Sequence, residues 1–296
     1  MAKTISVDAP AKINLYLGVY PQLDKRGYHI VNSIMVATSL KDRIVIEESD
    51  KLSVSCIPQV DFPEESNTAY KAALIMGEAF NKSVNYAITI YKNIPFKSGL
   101  GGASADCASV ISGLCYLWDI DINSDKVLKI AQSIGADVAF FLFGKPMLLN
   151  GAGDVPCETF KDITNMYIVL VRPFGDGITA AQAYRSFDEE HQEAKVIEPI
   201  VNALRKGDNL AIAQNISNNL DPVACKLMPN LVDILSWLNV QEGVISSMVT
   251  GSGSCIYAIC DSQSTSVQIE LLAKDKGLWS KACVVETAVP TVKLNN

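Results

Sequence analysis

The stretch that most constrains this chain runs from Ile94 to Ala108 and reads I-P-F-K-S-G-L-G-G-A-S-A-D-C-A. An alternating apolar run, Tyr86–Lys92, precedes it, and a helix-like run, Ala105–Trp118, follows. The order is therefore strand, glycine loop, helix. Gly99, Gly101 and Gly102 leave the backbone free to take positive φ and to approach a ligand closely. The helix that follows points its unpaired N–H groups and positive dipole end at the same place, which suits a phosphate. The same residues also make an ordinary tight turn, so taken alone the loop leaves both readings open. The order of a Walker loop is absent, and Gly99-Leu100-Gly101-Gly102 does not give the dinucleotide fingerprint.

The 296 residues suffice for one large domain or two ordinary ones, and 49% hydrophobic against 19% charged residues supports a substantial core. A net charge of −7 argues against general affinity for nucleic acid, which rests on basic surface. It leaves room for an anionic small molecule held by a local loop and a few lysines. None of the eight cysteines falls in a C-x-x-C pair, so no zinc site is expected. The N-terminus lacks the apolar centre of a signal peptide, and no run of about 18 apolar residues could span a membrane. The expectation is a reduced, cytoplasmic protein whose thiols pack as small hydrophobes.

Patterning predicts strands within 4–20, broken at Pro10, and at about 30–39, 43–48 and 52–56. Helices are predicted over 67–80, 105–118 and 124–134, then strands at 146–150, 154–160 and 166–172. Beyond that the chain turns mostly helical: 179–187, 195–205, 208–226, 229–238 and 264–276. Strands are expected near 244–250, 255–260 and 282–287. The shift near residue 150 divides the chain into two expected domains, 1–152 and 153–296.

Four further places carry chemistry. Pro10-Ala-Lys-Ile-Asn-Leu15 sets Lys12 and Asn14 two apart, on one strand face. A strand lysine is either an edge residue or a buried cation with a partner. Asp137, in Gly135-Ala-Asp-Val, either caps the following segment or accepts a proton from a substrate hydroxyl. Paired with Lys12, it would be held ionised. Tyr28 and His29 are surface-loop residues or the two sides of a site for a planar base. Thr250-Gly251-Ser252-Gly253 is a hairpin turn or a second anion loop.

Together these pieces resemble the GHMP kinase superfamily, in the family's order from Pro10 to about Cys260. Gly27-Tyr28-His29 is similar to the piece that sets apart the branch acting on a cytidylated methylerythritol. The resemblance implies an α+β fold in two domains: a ribosomal-protein-like ATP-binding domain and a ferredoxin-like, substrate-side domain, with the active site in the cleft between them. It implies ATP and Mg²⁺, and phosphoryl transfer to the 2-hydroxyl of 4-diphosphocytidyl-2-C-methyl-D-erythritol. Asp137 would be the base and Lys12 its charged partner. Tyr28, His29 and, on a looser match, Tyr184 would hold the cytosine, with Asn14 near the hydroxyl and phosphate groups. ATP would meet Asn67, Lys92, Pro95, Phe96, Lys97, Ser98, Gly99, Leu100, Gly101, Gly102, Ala103, Ser104 and Ala105. The Mg²⁺ ligands are not identified, Ser104 being only a candidate. No nucleic acid or membrane is expected as partner, and the chain is expected as a monomer or weak homodimer.

Three residues depart from the family's pattern. Ala103 stands where a third glycine is usual, so an ordinary helical φ is expected there. Lys97 replaces a small residue and either adds a cation near the phosphates or points to solvent. Ala139 replaces a proline and removes no chemical group. Other GHMP kinases, acting on mevalonate-like, homoserine or sugar alcohols, remain the alternative, as does a catalytically silent nucleotide-binding regulator.

Overall fold

A computed structural model describes residues 4–287 and 290–295; the outermost ends of the two expected domains, 1–3 and 296, lie outside them. The first half is built on β1 (Thr4–Leu23), β2 (His29–Glu48) and β3 (Ser53–Ile57). It continues through α1 (Thr68–Phe80), β4 (Tyr86–Tyr91), α2 (Gly102–Trp118), α3 (Asp125–Ile134) and α4 (Val138–Phe143) to β5 (Met147–Asn150) and β6 (Val155–Thr159). Then come β7 (Tyr167–Arg172), α5 (Ala180–Glu189), α6 (Glu198–Lys206), α7 (Asn209–Gln214), β8 (Ser217–Asn218), α8 (Asp221–Leu227) and α9 (Asn230–Asn239). The chain ends in β9 (Val244–Val249), β10 (Ile256–Cys260), α10 (Gln263–Asp275), β11 (Trp279–Glu286) and β12 (Val292–Asn295).

β2 is the trunk of this mixed α+β fold. It pairs with β1 along its length, with β4 over 43–48, with β5 over 33–35 and with β11 at Thr38 and Ala37. The sheet then runs β11-β7-β10-β9 on one side, and β12 lies on the outer edge of β1. One buried cluster gathers Ile5, Ile44, Ile46 and Ile88 with the small residues of α1 and α2. The other two draw on the far halves of β1 and β2 and on residues beyond 160. α2 is buried from Ala105 to Cys115. Its Ala, Ser, Gly and Cys side chains permit this, and at Gly113 a Cβ would stand 2.6 Å from Ile46 Cδ1.

Several elements differ from the pattern-based expectation; α4, β8 and β12 have no counterpart in it. Pro10 does not break β1; it falls at a register shift between Pro10 and Lys12, where its missing N–H costs the ladder nothing. The expected strands at 30–39 and 43–48 are one, β2. The expected helix over 208–226 is divided, because Asn219 leaves it to act as a strand partner. Its side chain accepts from Val19 N at 2.9 Å and donates to Val19 O at 2.8 Å. Asn side chains compete with helix in this way.

Candidate active site

Two of the three register shifts between β1 and β2, at Pro10/Lys12 and Asn14/Tyr16, lie where the loops arrive. Lys12 N donates to Leu100 O at 2.9 Å. Asn14 N donates to Thr250 Oγ1 at 3.1 Å. One strand thus fastens both glycine loops, and the loops touch each other. A Cβ on Gly99, whose φ is +78°, would lie 2.1 Å from Thr250 O. Thr250–Gly253 lies in the turn between antiparallel β9 and β10, as the first of its two sequence readings expects.

Lys12 and Asn14 share a face. Lys12 Nζ donates to Asn14 Oδ1 at 2.6 Å and stands 3.9 Å from Asp137 Oδ2. The ammonium is almost fully buried, which lowers its pKa, while Asp137 acts in the opposite sense. Asp137 occupies the N-cap position of α4, yet its side chain makes no capping hydrogen bond. It faces Lys12 instead and stays 30% exposed, open to a ligand. Asn14, expected beside substrate hydroxyls and phosphates, uses its amide on Lys12 and, through Nδ2, on Ser33 Oγ at 2.8 Å.

α2 begins at Gly102, earlier than predicted, so Gly102, Ala103 and Ser104 form its first turn. Their N–H groups have no intrahelical acceptor. Gly99 and Gly101 take the left-handed conformation; Gly102 and Ala103 do not. Lys97 does, with φ +50°, and its ammonium lies 3.8 Å from Asp176 on the exposed side. The Leu100 and Ala105 side chains are fully buried in the core, and Ala105 N is spent on Gly101 O. Ser98 Oγ donates to Pro95 O. Asn67 caps α1, accepting from Ala69 N at 2.9 Å.

Lys92, expected to line the nucleotide site, is 4% exposed, and its ammonium is clasped between Asp42 and Asp106. Phe96 lies over it, with the ring centroid 5.2 Å from Nζ. Asp42 also accepts from Asn93 N and Ile94 N, so the triad anchors the entry to the loop from behind. Burial and Asp42 push the Asp106 carboxyl up to about 7, against the pull of Lys92. The sequence reading missed Asp42 and Asp106, although Asp106 sits among small residues at a helix start. It also missed Asn218, whose Nδ2 donates to Val249 O at 3.0 Å and Gly251 O at 2.9 Å.

The aromatic cluster lies at the far end of β1. His29 stacks on Tyr184 with centroids 5.3 Å apart and planes at 10°, and meets Phe187 edge-on at 5.6 Å. Its ring nitrogens face Tyr20 O at 2.8 Å and Asp188 Oδ1 at 3.1 Å. Tyr28 stands apart, 60% exposed, on a loop pinned by Arg26 to Asp24 and Asp154. Burial, then the field of Asp137, raises the Tyr184 hydroxyl to about 12. Among the described residues no three His, Cys, Asp or Glu side chains cluster so as to hold a metal.

Two family models match the chain: GHMP kinases N terminal domain over residues 67–145, and GHMP kinases C terminal over residues 200–273. The first span holds the glycine loop and Asp137, the second the Thr250 turn. In class, this is the GHMP kinase fold. A 4-diphosphocytidyl-2-C-methyl-D-erythritol kinase of Nostoc sp. is 31% identical, covering 88% of each chain. That of Citrifermentans bemidjiense is 33% identical over 95% of this chain and 99% of its own. A crystal structure of 4-(cytidine 5'-diphospho)-2C-methyl-D-erythritol kinase superposes with a TM-score of 0.78 at 26% identity, covering 96% of this chain and 100% of the other. The chain belongs to the 4-diphosphocytidyl-2-C-methyl-D-erythritol kinase family.

Proposed function

We propose that the chain transfers the γ-phosphoryl group of ATP to the 2-hydroxyl of 4-diphosphocytidyl-2-C-methyl-D-erythritol. One observation carries this reading: Lys12 is joined to the glycine loop through its main chain and to Asp137 through its ammonium. The phosphate cradle and the proton acceptor are thereby held at a fixed separation. Asp137 Oδ2 takes the hydroxyl proton as the substrate oxygen attacks, and the Lys12 ammonium, 3.9 Å away, keeps that carboxylate aimed. The loop N–H groups and the first turn of α2 take the charge that spreads over the transferring phosphoryl oxygens. The His29–Tyr184 cluster receives the cytosine, with Tyr28 at its rim.

Mg²⁺ would come to this site with the nucleotide, and Ser104, in the first turn of α2, would be the side-chain candidate to hold it. When bound it neutralises phosphate charge. The two-domain division at 152/153 belongs to the same reading, as do a cytoplasmic location and a monomer or weak homodimer acting without nucleic acid or membrane. Support for the division comes from the first hydrophobic cluster, whose buried members all lie between Ile5 and Leu149.

The test is ADP release with ATP, Mg²⁺ and the cytidylated acceptor, with mevalonate, homoserine and galactose run in parallel. Turnover with the cytidylated acceptor alone is the expected result. Turnover with another acceptor would retain the phosphoryl-transfer chemistry and discard the cytosine role of His29 and Tyr184. ATP binding without any turnover would favour the silent regulator.

A further inference from the structure

Arg172, the last residue of β7, is 6% exposed and, among the described residues, has no carboxylate in hydrogen-bond contact with it. A buried guanidinium normally pairs with an acid. Here its donors go to three carbonyl oxygens instead. Nε donates to Pro173 O at 3.1 Å, one terminal nitrogen to Phe96 O at 3.0 Å and the other to Gly175 O at 2.7 Å. Burial lowers its pKa, which marks the cost of keeping a cation there. Phe96 lies directly before the turn of the glycine loop, so the guanidinium ties that loop to the second half of the chain.

Its neighbours show what this accomplishes. The Lys97 carbonyl accepts from Ser254 Oγ at 2.7 Å. Ser254 takes φ +70°, a conformation a non-glycine residue adopts only under constraint. The Pro95 carbonyl accepts from Ser98 Oγ, Leu100 O from Lys12 N, and Gly101 O from Ala105 N. The carbonyls at 95, 96, 97, 100 and 101 are therefore all occupied by donors of the protein. A carbonyl turned into an anion site repels phosphate as strongly as an N–H attracts it. Satisfying the carbonyls leaves the N–H ends of the same peptides for the ligand.

From this geometry we infer that Arg172 is a positioning residue for the phosphate site: by holding the Phe96 carbonyl, with Ser254 holding that of Lys97, it fixes which edge of the glycine loop faces the nucleotide. This rests on reading the loop as the ATP site. Three of the five N–H donors of Arg172 are committed to these carbonyls, and the positioning role is argued from those three.

The experiment measures binding by calorimetry, so it does not depend on identifying the acceptor. ATP affinity of the native protein tests the loop reading; the ratio of native to variant tests Arg172. Arg172→Met keeps the aliphatic stem and removes the donors. It is expected to weaken ATP and inorganic tripolyphosphate by about tenfold or more, the loss of a hydrogen bond from a charged group. The cytidylated acceptor, titrated without nucleotide, should change by less than about twofold. Millimolar guanidinium should restore phosphate binding in Arg172→Met and leave the native protein unaffected, which a general loss of packing would not allow. Unchanged ATP affinity in a folded variant, an equal loss for both ligands, or no recovery with guanidinium overturns the inference. Should Arg172→Met fail to fold, Arg172→Lys, which keeps charge but reaches fewer carbonyls, carries the test. ATP must weaken selectively in that variant, and an equal loss for both ligands overturns the inference.

Discussion

The Asp137 carboxylate stands 3.9 Å from the Lys12 ammonium, and Lys12 hangs by its own N–H from the Leu100 carbonyl of the glycine loop. In the function proposed above, the chemistry and the phosphate cradle therefore share one residue. Asp137→Asn preserves size and loses the proton acceptor. It is expected to lower kcat by at least about 10²-fold while ATP affinity stays within a few-fold of native. Lys12→Met should lower kcat, since it removes the ammonium 3.9 Å from Asp137 while keeping the aliphatic stem that packs against Gly101. Single-turnover rates and nucleotide titrations on both variants check this. Near-native turnover in Asp137→Asn would remove that residue from the mechanism.

The His29–Tyr184 stack makes a second prediction. A planar base held between two rings needs them about 7 Å apart, twice a van der Waals contact. At 5.3 Å the two rings are too close for that, so a cytosine bound between them, as proposed, would have to displace one of them. Tyr184→Leu and His29→Ala should each raise KM for the cytidylated acceptor by about tenfold or more, with the ATP KM little changed. A matching rise in both KM values would show that the cluster only supports the fold.

Much of this site was legible in the sequence because its parts are local. A strand alternates by two, so Lys12 and Asn14 had to share a face, and their 2.6 Å contact follows. A glycine run between strand and helix announces itself in the same way. Residues whose role depends on long-range closure were not legible. Asp42 meets Lys92 across fifty positions, and Arg172 meets Phe96 across seventy-six. Nothing local marks either one. Pro10 misled because a proline ends a strand only where its N–H is needed, and a register shift removes that need. The short β12 went unseen because its partner is β1, at the other end of the chain.

The contact between the two glycine loops yields a stability prediction. A methyl on Gly99 would collide with the Thr250 carbonyl at 2.1 Å and would also have to adopt φ +78°. Both penalties act on backbone, which cannot rotate aside as a side chain can. Gly99→Ala should therefore lower the unfolding free energy by about 2 kcal/mol or more and weaken ATP in parallel. Urea unfolding and ATP titration on the same sample test it. Ala103→Gly, by contrast, should cost about 1 kcal/mol and leave ATP affinity alone, because Ala103 is already helical.

Asp221 supplies the pH dependence. It opens α8 with Oδ1 shut off from solvent and without a partner, and burial raises its carboxyl from 3.8 to about 8. The Val249 N–H and Lys195 oppose that rise without cancelling it. Between those two values the folded chain keeps a proton that the unfolded chain has released. The unfolded state binds fewer protons there, so stability falls as pH rises. The contribution is complete below about 4 and is lost as pH climbs through about 8. Asp106, raised to about 7, adds a decline of the same sign, so the native protein is more stable at pH 5 than at pH 9. Asp221→Asn is neutral throughout and can still accept from Val249 N. Its urea midpoint should exceed the native one at pH 9, with the advantage shrinking toward pH 5. Midpoints of the two proteins measured at pH 5, 7 and 9 decide the matter. Curves that fall in parallel would mean that Asp221 is ionised in the folded protein, with Lys195 outweighing burial.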